Sequence, residues 1–302
     1  MPRLRLVRKI QEPLPKGTVA LAVSQNGVLI AEEDYDDSDE EDQQAIELED
    51  VGDEFTVLPE RREGVATHIA CSGNSGCGKS TWAGQYADSW REHNPAGVVL
   101  CISCDLTDDP AIYCDLRINP TDAGELDVDD LGDDGALLVF DDCHGTDKAT
   151  AAGLAKFMRA CHERGRKKRI STINISHRPT AGKETKSTLC DLSGLVLFPS
   201  LPPTASLIYV LQNYAGVDPA LLKLLKKDRQ GWGRAVFVNL SSPGTLIGAR
   251  KAMLIDNDAV AAAAGITREK RRAKVEALKD DCPTKTCRAI SKLRARARQR
   301  AA

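Results

Sequence analysis

Gly73-Asn74-Ser75-Gly76-Cys77-Gly78-Lys79-Ser80 is the stretch whose reading decides the fold. A mostly apolar run precedes it (Val65, Ala66, Ile69, Ala70, Cys71), and a helix is predicted after it, from Thr81 to about Arg91. The pattern G-x-x-x-x-G-K-S between a strand and a helix is a phosphate loop. Gly73, Gly76 and Gly78 allow tight turning, so that successive N–H groups converge on phosphate oxygens. Asn74, Ser75, Cys77 and Thr81 supply the rest of that cradle, and the helix adds its positive N-terminal end. Lys79 reaches the β- and γ-phosphates, and the Ser80 hydroxyl is a ligand for Mg²⁺.

Downstream, apolar runs alternate with helical or polar stretches. Gly97–Ser103 reads as a second buried strand, and Gly135-Ala-Leu-Leu-Val-Phe-Asp-Asp as a third. Residues 147–164 have helical spacing, with Leu154, Phe157, Met158 and Cys161 on one face. Arg169–His177 and Gly194–Phe198 give a fourth and a fifth strand. Strands separated by helices predict an α/β fold, a P-loop NTPase with a mainly parallel central sheet and helices on both faces. Residues 105–135 read mostly as loop, anchored by Ile112 and Leu116. Pro219–Lys227 reads as a leucine-rich helix, Arg234–Leu240 as a late strand, and Thr245-Leu-Ile-Gly as its partner.

Two further clusters carry chemistry. Asp141 and Asp142 end a buried strand, which suits Asp141 to magnesium in the Walker B role and Asp142 to polarising an attacking water. Adjacent strand residues face opposite ways, so both reach the nucleotide only if the strand end splays; otherwise Asp142 begins a turn or caps the next helix. Ile173-Asn174-Ile175-Ser176-His177-Arg178-Pro179-Thr180 ends another buried strand in a polar cluster. Asn174 and Ser176 share one face, with His177 at the edge, either as a sensor of the γ-phosphate or as an ordinary strand-end histidine. Arg159, Arg164, Arg178 and Arg234 are candidates for a hydrolytic arginine, and the pattern does not separate them. The cluster Arg164, Arg166, Lys167, Lys168, Arg169 is equally a DNA-facing loop or a solvated turn.

Outside the core the chain is polarised. Residues 32–54 hold fourteen Asp and Glu and no Lys or Arg, whereas residues 267–302 hold thirteen Lys and Arg against four acids. The acidic run has little to bury and reads as a disordered linker. It divides an N-terminal β segment, 1–31, with a hairpin around Asn26-Gly27, from an ATPase-like domain, 55–250, and a basic helical tail, 251–302. The net charge is −3, with 42% apolar and 4% aromatic residues, so no base-stacking platform for single strands is evident. No apolar run approaches a membrane span, and the basic N-terminus lacks a signal core, so an intracellular, non-membrane protein is expected. The ten cysteines lack a second pair at zinc-finger spacing and read as reduced, small apolar residues.

A loop of the form Gly-x-Ser-Gly-x-Gly-Lys-Ser, a strand ending Asp-Asp and another ending Ser-His-Arg-Pro-Thr resemble the viral genome-packaging ATPases of the FtsK–HerA superfamily, poxvirus-type enzymes included. The late segment is similar too: helix 219–227, Gly231-Trp-Gly, strand 234–240 and Ser241-Ser-Pro. The resemblance covers residues 55–250. It implies ATP and Mg²⁺ as cofactors and a homo-oligomeric ring, usually a hexamer. It further implies double-stranded DNA as the translocated polymer and a viral capsid or portal as partner. Carried over, Gly73, Gly78, Lys79 and Ser80 bind phosphate and magnesium, and Asp141 binds magnesium. Asp142 polarises water, and Ser176 or His177 senses the γ-phosphate. Two other classes share the phosphate loop: a small-molecule (nucleoside) kinase, and a nucleotide-dependent switch or scaffold with little hydrolysis. The second stays open because most hydrolytic relatives carry Glu where this chain has Asp142.

Overall fold

The computed structural model describes residues 3–7, 18–27, 29–33, 45–48, 53–59, 65–105, 112–131, 134–143, 146–177, 189–200, 204–240 and 244–255. Strand β1 (Arg3–Val7), β2 (Val19–Ser24), β3 (Leu29–Glu33), β4 (Ala45–Glu47) and β5 (Phe55–Val57) precede β6 (His68–Ser72), which feeds the phosphate loop. Helix α1 (Lys79–His93) follows the loop, then β7 (Val98–Ser103), β8 (Leu116–Ile118) and the short α2 (Pro120–Ala123). Next come β9 (Ala136–Asp141), α3 (Lys148–Arg164), β10 (Ile170–Ser176) and β11 (Gly194–Leu197). After helices at Ala205–Asn213, Leu221–Lys227 and Arg229–Trp232, the described chain ends in β12 (Val236–Asn239), β13 (Thr245–Ile247) and β14 (Lys251–Leu254).

Ten strands form one sheet in the order β4-β14-β13-β12-β11-β6-β10-β9-β7-β8. From β11 to β8 every pairing is parallel; from β11 to β4 every pairing is antiparallel. Strand β10 lies between the phosphate-loop strand β6 and the Asp-Asp strand β9, the additional-strand arrangement of a P-loop NTPase. Parallel strands need long crossovers, and α1 and α3 supply them on opposite faces. Alternation along each strand divides the apolar residues between the two faces. Val99, Leu137, Val139, Ile173 and Ile175 pack with Trp82, Tyr86 and Trp90 of α1. Leu100, Ile102, Leu138 and Phe140 pack with Leu154, Phe157 and Cys161 of α3. Each such large side chain stabilises the fold by about 1.5–3 kcal/mol on leaving water. Asp147 caps α3 by accepting from the amides of Ala149 (2.9 Å) and Thr150 (3.1 Å).

The second sheet has the order β1-β3-β2-β5. The hairpin of β2 and β3 forms as expected, with Gly27 at φ 76° in its turn. Its pairing with β5 sets the N-terminal segment against the ATPase-like region, because Leu21, Ala22 and Ile30 share one core with Phe55, Val57 and α1.

Several expectations are corrected. The stretch 32–54 is not wholly a loop: β4 pairs with β14 at the sheet edge, Leu48 is buried, and Glu47 meets Lys251 at 2.9 Å. Residues 251–254 form β14 in the core sheet and do not begin a helical tail. Residues 105–135 contain β8, α2 and a 3-10 turn at Val128–Leu131. Ile112 is buried there, but Leu116 is 56% exposed, because β8 is an edge strand with a solvent face. The helix Ala205–Asn213 has no counterpart in the sequence reading; Thr204 caps it by accepting from the Leu207 amide at 3.1 Å. The rest of the acidic run (34–44 and 49–52), Arg178-Pro179-Thr180, Ser241-Ser-Pro and the segment from 256 lie outside the described residues.

Candidate active site

The phosphate loop connects β6 to α1 at the C-terminal end of the parallel strands. Gly76 (φ 73°) and Gly78 (φ 104°) take left-handed backbone, which a side chain would strain. A Cβ on Gly78 would also approach Arg234 Nε to 3.0 Å. No acidic residue sits in the first turn of α1, so its dipole is left to an incoming anion. Cys71 lies fully buried beneath the loop, and burial pushes its thiol well above the ordinary range.

Strand register brings the carboxylates to this loop. Ile175 of β10 is level with Cys71 on one side and with Asp141 on the other. With strands about 4.8 Å apart, Asp141 stands roughly 10 Å across the sheet from the loop. The strand end does splay: Asp142 adopts φ 45°, and its amide donates to Ile175 O at 3.2 Å. That left-handed residue turns both acids into the same space. His177 Nε2 lies 2.8 Å from Asp142 Oδ2.

A cleft of about 450 Å³ results, lined by Ser75, Gly76, Gly78, Lys79, Ser80 and Thr81 together with Asp141, Asp142 and His177. Lys79 is buried, and its Nζ donates to Gly73 O (2.9 Å) and Asn74 O (3.2 Å). Cys77 turns its side chain into the core, so only its backbone serves the loop. Ser176 is placed differently from His177. It is buried, its Oγ meets Ser72 Oγ at 2.8 Å under the loop, and it is not among the residues lining the cleft. The Ser80 hydroxyl and the Asp141 carboxylate are hard oxygen donors lining the same cleft, a donor set suited to Mg²⁺.

Three more cleft residues, Ser103, Asp105 and Arg117, escaped assignment from sequence, and Arg234 lines the cleft with them. Arg234 was one arginine candidate among four. Its guanidinium reaches across 157 residues to donate from Nε to Cys77 O (2.8 Å), and from Nη2 to Gly76 O (2.5 Å). Arg117 belongs to β8, in the stretch read as loop, and donates from Nη2 to Ile112 O at 2.9 Å. Of the other candidates, Arg164 pairs with Asp127 at 2.8 Å, far from the cleft, and Arg159 is exposed on α3. The basic cluster 164–169 precedes β10, at the opposite end of the sheet, and Lys168 is paired there with Asp129 at 3.2 Å.

No family model and no curated protein sequence matches this chain. Among the described residues no helix is long and apolar enough to cross a membrane. Solved structures do show similarity. A pCW3 conjugation coupling protein, TcpA, in monomer form with ATPγS, is 13% identical over 85% of this chain and 79% of its own, with a TM-score of 0.42. The genome packaging NTPase B204 from Sulfolobus turreted icosahedral virus 2, in complex with AMPPCP, is 10% identical over 65% of this chain and 99% of its own, with a TM-score of 0.41. The cytoplasmic domain of the Thermomonospora curvata type VII secretion ATPase EccC is 12% identical over 79% of this chain and 29% of its own, with a TM-score of 0.45.

Proposed function

We propose that this chain is an ATP-hydrolysing motor that translocates double-stranded DNA, and that it packages a viral genome as a homo-oligomeric ring. The observation that supports it most is the meeting of Lys79, Asp141 and Asp142 in one cleft, across the inserted strand β10. Amides of the phosphate loop and Lys79 hold the triphosphate. Asp142, held by His177, accepts a proton from water as it attacks the terminal phosphorus. Ser80 and Asp141 would hold Mg²⁺, which when bound neutralises charge on the phosphate oxygens. The basic residues of 267–302 supply the electrostatic attraction to a polyanion. Double-stranded DNA, the ring and a capsid or portal partner rest on the sequence resemblance.

The test is phosphate release from ATP with and without duplex DNA, across protein concentration and salt. The expected outcome is stimulation by duplex DNA that weakens steeply as salt rises, with specific activity increasing as the ring assembles. Turnover indifferent to DNA under every condition would count against translocation while leaving ATP hydrolysis standing. Phosphate appearing on a nucleoside instead of in solution would replace hydrolysis by kinase chemistry.

A further inference from the structure

A second cavity adjoins the phosphate cleft. It encloses about 180 Å³ and shares Gly78, Thr81 and Arg234 with the cleft. Its character is different. The cleft is lined mainly by charged and polar groups, whereas this slot sets Phe55, Val57, Trp82, Phe198 and Ile247, all largely buried, beside Glu54 and Arg234 at its edge. Trp82 is held flat by stacking on Phe237 (5.7 Å between centroids, 18° between planes) and on Tyr86 (5.5 Å, 20°). Strand β5 forms one side, and the turn after β13 forms another. The two are tied where the Phe55 amide donates to Ala249 O at 2.7 Å.

A nucleoside triphosphate has the same two-part character: a polyanion joined to a planar ring whose faces are apolar. An apolar cavity of about 150 Å³ accommodates benzene, so this slot has room for a larger planar heterocycle. Apolar and aromatic walls with a few polar groups at the rim are the usual lining of such a site. The rim here has Thr56 and Gln85. Thr81, one residue beyond the Lys-Ser pair, lines both cavities and so stands at their join.

We propose that the slot between β5, the first turns of α1 and the β13 turn receives the nucleobase of the triphosphate. The proposal rests on the reading of the adjoining cleft as a triphosphate site. It makes the N-terminal sheet part of the nucleotide site, since β5 belongs to that sheet through its pairing with β2.

Equilibrium binding of ATP and of inorganic tripolyphosphate, each with Mg²⁺, tests this on the full chain and on Gln85→Trp and Thr56→Trp. Gln85 is exposed on α1 and Thr56 is half-buried, so both tolerate a larger side chain that would fill the slot. The wild type is expected to bind ATP at least about tenfold tighter than tripolyphosphate, and each variant to lose that margin with tripolyphosphate affinity held within about twofold. Equal affinity of the wild type for the two ligands would overturn the proposal, as would both variants keeping the ATP margin. A wild type that binds neither ligand would overturn it by removing the phosphate site itself, a distinguishable result.

Discussion

At their N-terminal ends the adjacent strands β6 and β10 bury His68 and Thr172, and at their C-terminal ends they give way to Gly73 and His177. The first end is sealed. His68 and the His162 ring from α3 stack at 4.0 Å, and the Thr172 hydroxyl lies 3.0 Å from His68 Nδ1 and 3.2 Å from His162 Nε2. The second end opens into a cleft where cations and carboxylates from five parts of the chain face one another. Both ends place histidines beside polar partners. What separates a site from a closed interior is convergence on shared open space, and the strand pattern alone does not encode that.

The largest expected effect belongs to the open end. Lys79→Ala removes the only buried cation at the loop among the described residues that line the cleft. ATP turnover is expected to fall by at least about a hundredfold, measured as phosphate release at saturating ATP, with the circular dichroism spectrum unchanged. Retained turnover would reject the assignment of the cleft.

Asp142→Asn comes next, because it keeps shape and loses the proton acceptor. A loss of about a hundredfold in kcat is expected, with nucleotide binding preserved. His177→Ala, which only frees the carboxylate from its 2.8 Å partner, is expected to cost about tenfold. If His177→Ala matched Asp142→Asn, the histidine would be the acceptor and the aspartate its support.

How much of this contrast was legible in the sequence follows from locality. The loop, the apolar run into Asp141-Asp142 and the β10 strand are contiguous patterns, and each formed where its own residues indicated. The splay at Asp142 was legible only as a requirement. It is met by a left-handed residue that adjacent spacing cannot reveal. The short strands β4, β8 and β14 were not legible, because three or four residues carry too little alternation and are held by pairing to distant neighbours. Helix Ala205–Asn213 was missed because Leu207, Ile208 and Val210 imitate a strand. Arg117 and Arg234 reach the site through tertiary contacts, so no spacing signals them.

The sealed end predicts a dependence of stability on pH. Burial, with repulsion from His162, pushes His68 down to about 3; burial pushes His162 down to about 4, partly opposed by Asp191. Both are therefore neutral in the folded protein at neutral pH. Below the unfolded value near 6.5 the unfolded chain binds protons that the folded chain refuses, so stability falls as pH falls. The slope approaches about 1.4 kcal/mol per pH unit for each histidine, and levels off once the folded groups titrate. Urea unfolding at pH 7.5 and at pH 5 is expected to show this loss, and the doubly substituted His68→Phe/His162→Phe protein a smaller one. An equal loss in both proteins would assign the acid sensitivity elsewhere.

The smallest expected effect falls on Arg234, which touches the open end without contributing to its chemistry. A peptide unit points its C=O and N–H in opposite directions. Arg234 draws the carbonyls of Gly76 and Cys77 toward its guanidinium. The Cys77 amide turns back to Asn74 O at 3.3 Å, closing the loop on itself, and the Gly78 amide, opposite the Cys77 carbonyl, is turned away from Arg234 toward the cleft. Hydrogen bonds to a charged group are worth about 1.5–3 kcal/mol each, although a loop loosened by their loss still samples the competent shape. Arg234→Ala is therefore expected to weaken ATP and tripolyphosphate binding alike by about tenfold, raising KM more than it lowers kcat. Arg234→Lys, which keeps the charge but loses the two-pronged grip, is expected to recover only part of that affinity. A fall confined to kcat would instead place the guanidinium on the transferring phosphate. That result would move Arg234 from the frame of the cleft into its chemistry.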